Sequence, residues 1–129
     1  MIFDVKMGKN FRRKVRFVAD GNKTKTPLTM TYSSVVSRDS VWIALIIEAL
    51  NDLDVLACNI QNAYLMVDCR ERVWVVAGPD FGSESGKNML VRKSLYVLKS
   101  SGAVFRAFLA ETLNTMGYQP SYADPDLKL

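Results

Sequence analysis

Phe11-Arg-Arg-Lys-Val-Arg-Phe-Val-Ala19 is the stretch on which the reading of the fold turns. Phe11, Arg13, Val15, Phe17 and Ala19 share one parity, and Arg12, Lys14, Arg16 and Val18 share the other. A period of two marks a half-buried strand, because successive side chains on an extended backbone point to opposite faces. The mixed apolar segment 1–6, with Met7-Gly-Lys-Asn10 as a turn between, predicts a hairpin partner for it. Asp20-Gly-Asn22 then ends the strand, since these residue types tolerate tight turns.

The charge is as uneven as the pattern. Up to Lys25 the chain carries eight Lys/Arg against two Asp, whereas the rest holds nine Lys/Arg against eleven Asp/Glu. A basic surplus confined to one element suits contact with a phosphate-bearing partner. The plain alternative is a solvated strand pair whose charges discourage edge-to-edge association.

Outward from this hairpin, the polar, Thr-rich segment 23–32 reads as a loop. Ser37 is an N-cap candidate for a helix over 38–51, with Asp39 favourably placed in the first turn. Val41, Trp42, Ala44, Leu45, Ile46, Ile47, Ala49 and Leu50 leave that helix little polar surface, which predicts burial on most sides. The apolar run 53–58 predicts a short central strand, and 72–77 and 89–93 predict two more flanking a Gly/Pro-containing loop. A second helix is predicted over 101–116, with Val104, Phe105, Phe108, Leu109, Leu113 and Met116 at helical spacing and Gly117 at its C-terminus. The last dozen residues are rich in turn formers and end as a strand begins. Helices and strands without regular βα alternation indicate an α+β class, with antiparallel strands and two main helices.

Composition excludes several chemistries for this chain. It has no histidine, so imidazole bases and His-dependent metal sites or triads are out, and acid–base or metal chemistry would rest on carboxylates. Two cysteines, Cys58 and Cys69, are too few for a disulfide scaffold or a zinc-ligand set. The longest apolar run is interrupted by Glu48 and falls short of the roughly 18 residues of a membrane span. The N-terminus has no apolar targeting core, so the expected setting is cytoplasmic or nuclear, not secreted.

Four blocks, in order, resemble copia-type LTR-retrotransposon reverse transcriptases (RNA-directed DNA polymerases): Arg13-Lys-Val-Arg-Phe-Val-Ala19, Tyr32-Ser-Ser-Val-Val36, Cys58-Asn-Ile-Gln-Asn-Ala-Tyr-Leu65 and Lys93-Ser-Leu-Tyr-Val-Leu-Lys99. The resemblance spans nearly the whole chain. It implies a partial polymerase domain, with a fingers-like hairpin and loop over about 1–36 and an incomplete palm over about 37–129. The first block would be a fingers strand, the third the first palm motif, and the fourth the loop and helix that shape the nucleotide pocket.

Each block can be weighed against the role it implies. Lys14 and Arg16, two apart, would project from one strand face roughly 6.6 Å from each other. That spacing suits two cations on adjacent phosphates of an incoming nucleotide, arginine binding bidentately and lysine as a point charge. An exposed basic stripe is the alternative. Arg12 and Lys99 are candidates for contact with template or backbone, or with solvent. Tyr64 matches an aromatic beneath the sugar that selects deoxynucleotides; as a plain structural residue it would be a core aromatic.

The chain also departs from the family at three points. Asn59 stands where the family has a metal-binding aspartate. Mg²⁺, used by intact members, needs anionic oxygens, and a neutral amide is a poor bridging ligand. An Asn that caps a strand end through its own side chain is the competing reading. Val97 stands where the family has a glycine that lets backbone approach the nucleotide; a β-branched residue disfavours φ > 0 and adds bulk. Gly102 and Phe105 keep the expected passage from pocket to helix. Finally, no Asp-Asp dipeptide occurs in the chain, so the family's second metal-binding motif is not among these residues, and Asp68, Asp124 and Asp126 read as turn residues.

The expectation is therefore a catalytically inactive portion of a reverse transcriptase, a pseudoenzyme that needs no cofactor of its own. Its partners would be a weakly held nucleic acid and the remainder of a longer polyprotein. The alternative is a non-catalytic nucleic-acid-binding module that uses the basic N-terminal strand.

Overall fold

The computed structural model describes residues 24–129 throughout and, before them, the backbone of two strands, β1 (Ile2–Lys6) and β2 (Arg12–Arg16). These pair antiparallel, with Lys14 opposite Asp4, Arg16 opposite Ile2 and Arg12 opposite Lys6. The hairpin expected from the alternating stretch is present. Its expected turn at 7–10, Phe11, and the continuation over 17–22 lie outside the described residues.

Helix α1 (Arg38–Asn51) begins and ends where the sequence places it. The Ser37 hydroxyl accepts from Ser40 N–H at 3.0 Å, filling one of the four donors that a helix start leaves open. At the other end Asp52 turns left-handed at φ +53, and the N–H of Leu53 returns to the Glu48 carbonyl. The expected burial on most sides is overturned. No residue of α1 is buried, and Trp42 and Ile46 are 59% and 55% exposed. The physical reason is that no other helix or strand of the described residues packs on it.

The predicted central strand at 53–58 is overturned as well. These residues form no ladder, and Leu53, Val55 and Leu56 are exposed. A central strand needs a neighbour on each edge, and the ribbon that follows pairs with itself instead.

That ribbon is β3 (Trp74–Val76) against β4 (Asn88–Leu90), antiparallel, with Val75 opposite Met89. Backbone bonds outside the regular ladder lengthen it in both directions, from Ser94 N–H to the Val67 carbonyl and from Gly86 N–H to the Ala77 carbonyl. Along one edge burial alternates: Glu71, Val73, Val75 and Ala77 are partly or fully covered, whereas Arg70, Arg72, Trp74 and Val76 are exposed. Within β3 this is the period-two signature of a strand with one covered face; residues 70–73 lie ahead of the strand, and the chain bends at Glu71, where Val73 N–H returns to the Glu71 carbonyl.

Helix α2 (Ser101–Thr115) follows the ribbon and packs on a single helical turn at Ala63–Met66. Gly117 ends it at φ +98, the left-handed conformation that the sequence asks for there. Beyond it, Gln119 and Leu129 exchange two 2.8 Å backbone bonds, closing a short terminal hairpin around the turn at 124–126. The buried apolar side chains among the described residues are Val67 and Ala77, at the two ends of the ribbon, and Leu98, in the loop before α2. The architecture is mixed α+β.

Candidate functional site

Three of the four sequence blocks converge on the segment that leads into α2. Tyr64, in the third block, is half-buried against Tyr96, edge-on with ring centroids 4.8 Å apart, and against Phe105 at 5.9 Å. Aromatic rings favour this geometry because the positive edge of one meets the negative face of the other. Tyr64 is thus held beside Val97 through that residue's neighbour.

Val97 itself has φ +76 and is 60% exposed. The backbone keeps the left-handed conformation for which glycine is suited, although the residue is β-branched. A branched residue in this conformation places strain in the loop.

Beyond Leu98, Lys99 and Ser100 act as anchors. Lys99 Nζ donates to the Thr24 carbonyl at 2.9 Å and to Thr26 Oγ1 at 3.2 Å, tying down the loop before the second block. Ser100, buried at the start of α2, gives both its N–H and its hydroxyl to Glu71 Oε1. A carboxylate at this position also meets the positive end of the helix dipole. The Ser101 hydroxyl donates to the Leu95 carbonyl at 2.8 Å. At Gly102 an added Cβ would come 3.3 Å from Ser33 Cβ, so the second block lies close against the helix only because that position has no side chain.

The loop 24–29 and the ribbon edge 70–74 form two walls of an open cleft of about 540 Å³. One wall is fixed by Lys99 and the other by Ser100. Sequence reasoning missed this cleft, Glu71 included. The available signal was the alternation Arg70-Glu-Arg-Val-Trp74, which runs two residues ahead of the predicted strand start.

The carboxylates are engaged elsewhere. Asp68 stands 2.7 Å from Lys93 Nζ, and that hydrogen bond and charge hold its pKa below the usual value. Asp124 Oδ2 accepts from Ser37 N–H at 2.8 Å and from Ser40 Oγ at 2.7 Å, so two donors at the start of α1 lower its pKa to about 2. Asp126 accepts from Arg106 Nε at 2.6 Å, and its pKa is lowered chiefly by that bond. Both residues do stand in the turn expected of them, and both also fasten it to a helix.

Asn59 is exposed and follows a segment that forms no strand, so the strand end it was expected to cap is not there. The side chains of Lys14, Arg16 and Arg12 lie outside the described residues. The donor set does not fit a pair of divalent cations: no three Asp, Glu, Cys or His side chains converge among the described residues, and Asn59 brings one neutral oxygen.

The profile of the reverse transcriptase (RNA-dependent DNA polymerase) family matches residues 2–127. This chain belongs to that family. Among its relatives are the retrovirus-related Pol polyprotein from transposon TNT 1-94 of Nicotiana tabacum, 27% identical over 88% of the chain, and that from transposon RE1 of Arabidopsis thaliana, 28% identical over 90%. The reverse-transcriptase chain spans 9% and 8% of those two polyproteins. No solved structure matches it. The resemblance to copia-type retrotransposon enzymes read from the four blocks is borne out. No helix among the described residues of this reverse-transcriptase segment is long and apolar enough to cross a membrane.

Proposed function

We propose that this chain is the fingers and first half of the palm of a copia-type retrotransposon reverse transcriptase, and that by itself it does not polymerise nucleotides. The observation that carries the reading is Asn59, an exposed neutral amide at the position of the family's metal-binding aspartate. Nucleotidyl transfer through two metals needs anionic oxygens to hold and neutralise them. Asp68, Asp124 and Asp126 are each committed to another partner, and Val97 puts a branched side chain at the pocket's glycine position.

Primer extension on a defined RNA template with a DNA primer tests this directly. The purified chain is expected to give no incorporation with Mg²⁺ or Mn²⁺, and Asn59→Asp alone is expected not to restore it. Extension above background by the unaltered chain sinks the proposal.

The basic surplus before residue 26 favours a second reading, binding without catalysis through β2. On that reading Lys14→Ala with Arg16→Ala weakens binding and flattens its salt dependence. Affinity indifferent to both substitutions counts against it.

A further inference from the structure

We propose that the terminal hairpin is a clasp, in which the carboxylates of Asp124 and Asp126 hold helix α1 to helix α2, and that α1 undocks as a unit when this hold is lost. The proposal does not depend on whether the chain polymerises nucleotides.

The bonding of α1 carries it. No other helix or strand of the described residues packs on α1, and none of its residues is buried. Among the described residues, the hydrogen bonds that α1 and its cap make to distant chain all end on Asp124. Ser37 N–H donates to Asp124 Oδ2 at 2.8 Å, and the Ser40 hydroxyl donates to the same oxygen at 2.7 Å. The other carboxylate oxygen, Oδ1, accepts from Asp126 N–H at 3.1 Å, which fixes the turn. Asp126 in turn accepts from Arg106 Nε of α2 at 2.6 Å, and the Ser34 side chain bonds to it as well. One turn thus grips α1 with its first carboxylate and α2 with its second. The arms of the hairpin are closed by the Gln119–Leu129 pair and by Ser121 N–H on the Leu127 carbonyl at 2.9 Å.

Apolar packing does little to replace this grip. Val36, Val41, Ala44, Leu45, Leu113 and Leu127 line an open cavity of about 440 Å³. Across it α1 and the end of α2 face a gap rather than each other's side chains, and atoms beside a gap forgo dispersion contacts. The bonds to Asp124 and Asp126 are charge-assisted, the stronger class of hydrogen bond. The Arg106–Asp126 pair is also sheltered, with side chains 38% and 16% exposed, so salt screens it less than a surface pair. Released from the clasp, α1 has 14 residues, a length at which an isolated helix is marginal in water. Undocking therefore opens its backbone amides to solvent.

Hydrogen–deuterium exchange of the whole chain, read by peptide mass, tests the clasp. Asp124→Ala is expected to speed exchange of the α1 amides about ten- to a hundredfold, as loss of bonds to a charged group implies. Amides of α2 and of the ribbon are expected to change by less than about threefold. Arg106→Met is the decisive variant, because Arg106 bonds to the clasp from α2 and the clasp carries its effect to α1. It too is expected to speed exchange in α1, and to add little when combined with Asp124→Ala. Ser40→Ala removes one bond and no charge, and it carries the test where Asp124→Ala does not fold.

Unchanged α1 exchange in Asp124→Ala, or in Ser40→Ala where that variant stands in, overturns the proposal. Equal acceleration in α1, α2 and the ribbon also overturns it, since that is global destabilisation. An Arg106→Met chain whose α1 exchanges as in the unaltered protein reduces Asp124 to a local cap and overturns the clasp. Nucleotide incorporation enters none of these readouts, so polymerase activity would sink the inert reading and leave the clasp standing.

Discussion

Tyr64 and Tyr96 meet edge to face with ring centroids 4.8 Å apart, joining the third sequence block to the loop of the fourth. Phe105 closes the group from α2, 5.9 Å from Tyr64. The cluster positions the turn at 63–66 against α2, the regular element that packs on it.

The Tyr64–Tyr96 contact is expected to be measurable as an energetic coupling. Tyr64→Ala should destabilise the chain by about 2 kcal/mol, below the value for a fully buried aromatic because the ring is half-exposed. Combined with Tyr96→Ala, a double-mutant cycle in urea should return a coupling of about 1 kcal/mol. Additive effects would mean that the rings are neighbours without being partners.

Val97→Gly is expected to stabilise, against the usual direction for removing a side chain. Relief of the left-handed backbone is worth about 1–2 kcal/mol, and the added freedom of the unfolded chain returns about 0.4–1 kcal/mol of that. A net gain of up to about 1 kcal/mol should appear as a higher urea midpoint at unchanged slope. Val97→Ala should gain less, since it keeps a Cβ. Destabilisation by Val97→Gly would place the loop's native φ on the other side of zero.

The α1 N-terminus should be acid-sensitive. Asp124 has its pKa lowered to about 2 by donors from Ser37 and Ser40. A carboxylate with a depressed folded-state pKa contributes stability that is present above its ordinary value, near 3.8, and lost as pH falls toward and through about 2. The helical circular-dichroism signal and thermal midpoint should therefore fall between those limits. Asp68 and Asp126 are also lowered and add to the fall. Asp124→Asn should remove part of it while lowering the midpoint at neutral pH. An unchanged acid profile in that variant would show that the bonds to Ser37 and Ser40 contribute nothing.

The open face of α1 should make the isolated chain associate. Trp42 and Ile46, one turn apart, are both more than half exposed, and contiguous apolar surface of this kind drives self-association or dye binding. Analytical centrifugation should show concentration-dependent species, and 1-anilinonaphthalene-8-sulfonate should fluoresce in its presence. Trp42→Glu with Ile46→Glu should reduce both. A monodisperse wild-type sample with a sharp, reversible thermal transition would contradict this.

How much was legible depended on the range of the interaction. The bounds of α1 followed from Ser37 and the apolar run behind it, because capping and helical periodicity act within a few residues. The strands of the ribbon and the stop at Gly117 were readable for the same reason. The segment 53–58 was not, because an apolar run says that burial is wanted and not which edge will supply it. The anchors were invisible: Lys99 reaches Thr24 across 75 positions, and Ser37 reaches Asp124 across 87.

The amino-acid sequence by itself determined the family, the α+β class and the helix limits. All of these depend on residue identity or local spacing. Only the tertiary structure decided that Val97 keeps a glycine's backbone, that α1 stands open, and that Arg70, Arg72 and Trp74 line one cleft. Those outcomes depend on which distant backbone and side-chain groups satisfy one another, and no local pattern records that choice.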